Sequence, residues 1–533
     1  ARGEGSIAID TAIEAVRAAR LLGVVPILIE REARLATLEL RAGRLDAALL
    51  NARLAVARIE RTRAGFASNR LRTAFLNSRT EPYETLVAAL VAAGDERSRR
   101  EAFEVVEQAK SRGLLDRVVA ELRRHDSDGA LANEIADLRR RLHGLYAALD
   151  DDGPEEQRRL RTNARQAEID TLEIRLDRIL VEVERSRTPV DALVPLEEVG
   201  RRLGRGVALI EYFVSGDRVL AFTLLDDVLA VTTLAVDVSE LSRLTTELHF
   251  QCRRRLRGNP GEALAARMLA SCEAVLRDLH RAVIEPLPAS VRDAARWSVV
   301  PHGPLAAVPF QALLGAEGFV LDRTIVSMAP SASMAVRDAD GDATREGVLV
   351  ASVGDERAPL IRDEGDAVAE IHRGAIRLDG GVATAGAVLH ELARVRVAHL
   401  ACHGRFLPGS PRSSGLRLAD RWVTIRDIDE LERTPTVVIL SGCETGLHPQ
   451  SGANGLLGLA RAFAAGGSRS IVSSLWSVHD EATRELMSSM HEVISAVTSP
   501  SLATALTQAQ RTMRAGHRHP AFWAPFFCTE TSS

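Results

Sequence analysis

A histidine and a cysteine, each set where an apolar run breaks into small residues, are the groups in this sequence best suited to covalent chemistry. His403 falls near the end of Val397-Ala398-His399-Leu400-Ala401-Cys402-His403-Gly404. Cys443 follows Val437-Val438-Ile439-Leu440-Ser441-Gly442. A thiol attacks a carbonyl as the thiolate, so it needs a partner that raises the thiolate fraction and later protonates the leaving amine. Imidazole does both near neutral pH. Ser441 and Gly442 are small enough to let a substrate backbone approach Cys443. Gly404 offers an unhindered amide, which together with the N–H of Cys443 can hold a developing oxyanion. On the residues alone a second reading stands beside this one: His403 and Cys443 are buried strand residues that never meet.

The elements that would have to position the pair are legible around it. Each apolar run reads as a buried parallel strand, with its polar break at the carboxyl edge of a sheet, where ligands and catalytic groups gather in open α/β folds. From residue 347 strands and helices alternate. A strand over 347–353, a helix over 362–373, a short strand over 375–378 and a helix over 384–394 precede the His403 and Cys443 strands. A helix over 455–465, a strand over 470–476 and helices over 480–497 and 500–514 follow. Such alternation predicts a mostly parallel sheet with helices on both faces.

Ahead of it, 207–214, 219–224 and 228–231 read as strands, with turns at Ser215-Gly216-Asp217 and Asp226-Asp227 and helices over 238–256 and 262–284 after them. His302-Gly303 is a rival dipeptide, but Pro301 and Pro304 fix it in a turn, and no cysteine stands at a matching strand end. Cys402 adjoins His403 on one strand and therefore faces the other way, into the core.

Residues 8 to about 123 read as helices throughout. Amphipathic segments meet at Gly43 and again at Gly94-Asp95, as in αα-hairpins, and resemble tetratricopeptide repeats. The two glycine turns are 51 residues apart, which implies an extra helix or degenerate units between them. Such stacks present a concave surface suited to a protein partner. Over 130–187, Leu131, Ile135, Leu138, Leu142, Leu145 and Leu149, then Ile169, Leu172, Leu176, Ile179 and Val183, flank a break at Gly153-Pro154. They predict an antiparallel helical hairpin with a coiled-coil seam.

Composition excludes several function classes. The 533 residues are 46% apolar and 26% charged, as in a globular protein of several domains. Apolar runs fall short of the roughly 20 residues that span a bilayer. The net charge of −4 gives no basis for direct nucleic-acid binding. The five cysteines contain no C-x-x-C pair, which argues against a zinc site or a disulfide framework and for a reducing compartment. No G-x-G-x-x-G or P-loop follows a strand, and no cofactor or metal is expected. The chain opens on Ala1, mid-pattern, as a fragment would.

Five motifs in order carry a family resemblance over residues 190–533. They are Val300-Pro301-His302-Gly303-Pro304-Leu305 with Val308-Pro309-Phe310; His399-Leu400-Ala401-Cys402-His403-Gly404; Val438 through Gly446; Gly455 through Phe463; and Ser474-Leu475-Trp476-Ser477-Val478-His479-Asp480-Glu481-Ala482-Thr483. They resemble the CHAT family, caspase-like and separase-related cysteine peptidases that often follow tetratricopeptide repeats. The order fits too, with the histidine 40 residues ahead of the cysteine. The resemblance implies an α plus α/β architecture in four parts: repeats over 1–128, the hairpin over 129–189, a pseudo-protease half over 190–342 and a caspase-like active half over 343–533. It makes His403 and Cys443 the catalytic dyad of a cysteine endopeptidase, with Gly404 and Cys443 as the oxyanion hole.

Asp480 resembles the separase acid that receives a basic P1 side chain, although a helix cap before Glu481 is an equal reading. His479 stands where the family often has a second acid. Ser441 either lines that pocket or packs, and Trp476 is read as a pocket wall. Loops 405–416 and 445–455 are candidate flaps. The expected partners are a protein substrate and a regulatory protein on the repeats, in a bacterial cytoplasmic setting without a membrane. The competing function is a catalytically inactive adaptor.

Overall fold

The computed structural model describes residues 2–64, 80–122, scattered positions between 134 and 175, and 193–531 apart from 259, 338–344, 357, 406–413, 432, 443–456 and 497–500. It divides into two compact units, Ala1–Leu193 and Val194–Ser533.

The first unit is helical: α1 Arg2–Leu22, α2 Val25–Arg41, α3 Leu45–Ala64, α4 Glu81–Ala93 and α5 Glu96–Leu122. Tight turns separate them at Gly23, Gly43 and Gly94, each with φ near +70°, where a side chain would strain the backbone. The α2 face that packs inward carries Leu28, Ile29, Ala33, Leu35 and Ala36, at helical spacing. Glu32 is buried with them and meets Arg58 at 2.8 Å and Arg20 at 3.2 Å, so its charge is answered inside the unit. The chain between Gly43 and Gly94, where an extra helix or degenerate repeat units were expected, lies partly outside the described residues. So does most of the expected hairpin. Of its described positions, Leu138 and Leu172 are buried, and Arg175 pairs with Glu134 at 2.9 Å.

The second unit is built on one sheet of eleven strands. In chain order these are β1 Val207–Ser215, β2 Arg218–Leu225, β3 Val228–Asp237, β4 Arg296–Val300, β5 Ile325–Met328, β6 Val348–Val353, β7 Ile376–Asp379, β8 Val397–Cys402, β9 Val437–Leu440, β10 Ser470–Ser474 and β11 Phe526–Glu530. Their order across the sheet is β3-β2-β1-β4-β5-β11-β10-β9-β8-β6-β7. Neighbours are antiparallel only at β1–β2–β3 and at β10–β11. The hairpin between β2 and β3 turns on Asp226 and Asp227, both at positive φ, a two-residue turn whose twist matches the strands. The longer helices are α6 Val238–Leu256, α7 Glu262–Val283, α8 Ile361–Ile371, α9 Ala385–Leu392, α10 Leu457–Ala465, α11 Asp480–Ala496 and α12 Leu502–Gly516. Every residue of β8 is buried, as a strand covered by helices on both faces requires.

The halves expected on either side of residue 342 share this sheet. β11 joins them, pairing with β10 on one side and with β5 on the other. The sequence reading has no strand at 526–530, because the three apolar residues Phe526-Phe527-Cys528 are too few to carry a period. Gln311 pins β11 to the first half: its amide donates to the carbonyls of Phe526 at 2.9 Å and Ala524 at 3.2 Å.

Candidate active site

β8 and β9 are adjacent and parallel, so the two strands expected to deliver a histidine and a cysteine are neighbours. Val397 pairs with Val437 and Leu400 with Leu440, an offset of 40 positions (437 less 397). His403 and Cys443 are also 40 apart (443 less 403). Cys443 lies outside the described residues. The chain leading to it does not: the Ser441 amide donates to the Leu400 carbonyl at 3.0 Å. At Gly442 a Cβ would stand 2.2 Å from the Cys402 carbonyl oxygen and 3.5 Å from the Gly404 nitrogen. No side chain fits there, and the glycine lets the end of β9 close against the residues flanking His403. Ser474 on β10 donates to the Gly442 carbonyl at 3.2 Å and ties that end from the other side.

His403 is about a quarter exposed, with Nε2 3.1 Å from Asp355 Oδ1. Asp355 follows β6, the other neighbour of β8, and its Oδ1 also takes the Ala358 amide at 3.2 Å. Three adjacent strands thus bring Asp355, His403 and Gly442 to one sheet edge. The sequence reading missed Asp355. Its signal, an acid two residues beyond a buried strand at Gly354-Asp355, is of the same kind that identified His403.

Beyond His403 the chain enters a small antiparallel sheet that was not anticipated, of Gly404–Arg405, Gly415–Arg417 and Trp422–Thr424. Gly404 is buried there, paired with Leu416, and the His403 carbonyl accepts from the Arg417 amide at 2.7 Å. Part of the 405–416 stretch read as a flap is therefore built structure. The remainder, and the 445–455 stretch, lie outside the described residues.

Asp480 opens α11 as its first helical residue and is half-buried. It does not cap a helix beginning at Glu481; its carboxylate accepts from the Leu360 amide of the loop before α8. Burial pushes the carboxyl up. The charge of His479 opposes that rise, Glu364 adds to it, and His403 and the Leu360 amide oppose it more weakly. The carboxylate therefore lies within electrostatic reach of His403. Ser441 is buried, and its hydroxyl has no hydrogen-bond partner among the described residues. Trp476 corrects the expectation of a pocket wall. It is 3% exposed, its indole N–H donates to the Ala521 carbonyl at 3.3 Å, and its ring packs edge-on with His249 at 5.3 Å. A side chain held at both ends inside the core fills volume there.

The rival histidine and the neighbouring cysteine fall where expected. His302 Nδ1 accepts from the Val214 amide at 2.9 Å while its ring stacks on Phe213, and Gly303 turns at φ +60°. Cys402 is buried, and burial together with the charge of Glu364 pushes its thiol up to about 12, so it stays protonated and inert. Among the described residues no cluster of histidine, cysteine and acid could hold a metal ion, and no helix is long and apolar enough to cross a membrane.

Residues 273–530 match the CHAT domain family, as the five ordered motifs implied. No curated protein matches the chain by sequence. Among solved structures it is similar to the Saccharomyces cerevisiae separase–securin complex, at 8% identity and a TM-score of 0.45 over 95% of this chain and 50% of that one. It is also similar to the Arg-specific cysteine proteinase gingipain R, at 9% identity and a TM-score of 0.32 over 54% of this chain and 74% of that one. The chain spans about half the length of the separase chain it matches.

Proposed function

From the premise that the chain carries a CHAT domain in residues 273–530, we propose that its C-terminal unit is a cysteine endopeptidase acting through His403 and Cys443. The observation that supports this most is the register of β8 on β9: the offset of 40 positions between paired residues equals the spacing of the two candidate groups.

In the reaction, the Cys443 thiolate attacks the carbonyl carbon of the scissile peptide. The oxyanion forms against the amides of Gly404 and Cys443. His403 carries the proton taken from the thiol and gives it to the departing amine nitrogen, which leaves a thioester and frees the new N-terminus. Water then attacks the thioester, His403 takes its proton, and Cys443 leaves as thiol with the new carboxylate released. Asp355, 3.1 Å from His403 Nε2, holds the ring so that Nδ1 serves the sulfur. Asp480, beside His403 and half-buried, is the acid that would receive an arginine side chain at P1, with Ser441 on the same rim.

The helical unit, read as tetratricopeptide-like, takes a regulatory protein partner and couples its binding to activity. The test compares the full chain with Cys443→Ala and His403→Ala on an unfolded proteome, mapping new N-termini by mass spectrometry. Cleavage should vanish in both variants. New termini formed equally by Cys443→Ala would refute the peptidase and leave the adaptor reading.

A further inference from the structure

Beneath the candidate site the same unit sets four titratable side chains in a row, three of them buried, and the proposed chemistry uses none of them. His399 on β8 is wholly buried, with Nε2 3.0 Å from Oε1 of Glu364 on α8, itself 3% exposed. On its other side, His399 Nδ1 is 3.2 Å from Nε2 of His491 on α11, also wholly buried. His491 Nδ1 is 2.8 Å from Nε2 of His372, the half-buried residue that ends α8. The chain Glu364–His399–His491–His372 thus runs nitrogen to nitrogen from the interior to the surface. His491 is hydrogen-bonded through both ring nitrogens and His399 through Nδ1, while His399 Nε2 meets Glu364 at ion-pair distance without a hydrogen bond.

Few charged side chains from the surrounding elements act on it. The other buried side chains of α11, Ala482, Thr483, Leu486, Met487 and Met490, carry no charge. On β8 the remaining titratable group is the neutral thiol of Cys402. β6 contributes uncharged Ser352, and β7 commits Arg377 to Asp366 and Asp379. Arg396 acts on the His372 end, and Asp480 feels Glu364 at the other. A buried carboxylate needs a counter-charge, and the His399 ring, 3.0 Å from Glu364, is placed to carry it. A second proton is resisted: burial holds His491 well below the usual histidine range, with the charges of His399 and then His372 adding to the effect. His372 is lowered by burial, then by His399 and Arg396.

We propose that Glu364, His399, His491 and His372 form a proton-responsive positioning relay that sets the alignment of the candidate site above it. The geometry makes the link. His399 lies on β8, which ends one residue before His403. Asp480 and His491 are eleven residues apart on α11, three turns, and so share one helix face. Glu364 lies one turn into α8, directly after the loop that carries Asp355 and the Leu360 amide. The relay therefore joins the three elements that deliver His403, Asp355 and Asp480. A proton from water enters at the exposed edge of His372 and passes inward by exchange along the N–H···N contacts, with no other bond made or broken.

The sign of the effect follows from the depressed histidines. Their contribution to stability is complete above the ordinary histidine pKa of about 6.5 and is lost as pH falls below it, because the unfolded chain then binds protons that the folded chain refuses. The relay rests on the proposed site, so its test reads quantities that need no catalysis. In the full chain, the thermal midpoint and the His403 imidazole NMR resonances are followed from pH 8 to pH 5, for the parent, His491→Phe and His491→Gln.

The parent should lose stability towards pH 5, and its His403 resonances should show a second step below the usual histidine range, where His372 and His491 take up protons. His491→Phe should remove that step and flatten the stability slope by up to one proton, roughly tenfold in the unfolding constant per pH unit. His491→Gln, whose amide both donates and accepts, should restore the His403 line positions at pH 8. Should His491→Phe not fold, His372→Gln at the surface end must abolish the same step. A uniform drop in stability at every pH with the His403 titration unchanged would overturn the relay and leave a purely structural cluster. Cleavage persisting in Cys443→Ala with the step intact would overturn the dyad alone.

Discussion

Asp355 Oδ1 stands 3.1 Å from His403 Nε2, at ion-pair distance across two adjacent parallel strands. An acid at one nitrogen orients the imidazole and stabilises the charge it takes on during proton transfer. The aspartate is about half exposed, so solvent screens much of that charge. Asp355→Asn should therefore lower kcat about tenfold with KM little changed, whereas His403→Ala should cost on the order of 10²–10⁴-fold. Peptide kinetics on the two variants decides it. An Asp355→Asn enzyme with unchanged kcat would make the contact incidental.

Asp480 carries the specificity prediction. Burial has raised its carboxyl, so the group takes up its proton at a higher pH than an ordinary aspartate. Preference for Arg at P1 should accordingly fade, as pH is lowered, above the usual carboxylate range. Asp480→Asn should lose that preference at every pH, by on the order of 10²-fold in kcat/KM. A peptide panel measured from pH 4.5 to 8 checks both; cleavage after Asp or apolar residues instead would remove Asp480 from the pocket.

Gly442 tests how tightly the two strand ends must close. A methyl group there meets a backbone carbonyl oxygen at 2.2 Å, and backbone cannot swing aside as a side-chain tip does. Gly442→Ala should cost about 1–3 kcal/mol by denaturant unfolding, as overpacking does. It should also slow alkylation of Cys443 in the folded protein. Parent-like stability would mean that β9 and the residues around His403 part easily.

The sequence carried the site further than the architecture around it. Buried parallel strands announce themselves as unbroken apolar runs, and their polar ends mark the sheet edge, so β8, β9 and the glycine before Cys443 were legible from pattern alone. Trp476 was misread because an aromatic beside a motif carries no sign of which face it occupies; its burial comes from Ala521 and His249, 45 and more than 200 residues away in the chain. Asp355 and the histidine relay share that cause. Both are meetings of side chains from separate elements, and no local period encodes them. β11 escaped for a different reason: its place in the middle of the sheet is set by β5 and β10, not by anything within its five residues.

Gln311 offers a test of how the two halves of the sheet are held together. It is 4% exposed, and its amide donates to the carbonyls of Ala524 and Phe526, where the chain turns into β11. Phe526 has a second donor in Gln510 at 2.9 Å and would keep one bond if Gln311 were lost. The Ala524 carbonyl has no such substitute among the bonds described. Gln311→Leu preserves most of the volume but leaves that carbonyl buried and unanswered, which costs about 1–3 kcal/mol. The loss should appear as a lower midpoint in denaturant unfolding with an unchanged slope, because the same surface is exposed on unfolding. A two-step transition in the variant would show instead that Gln311 keeps the halves a single cooperative body, and a midpoint equal to the parent's would mean that β11 is held by its strand pairing alone.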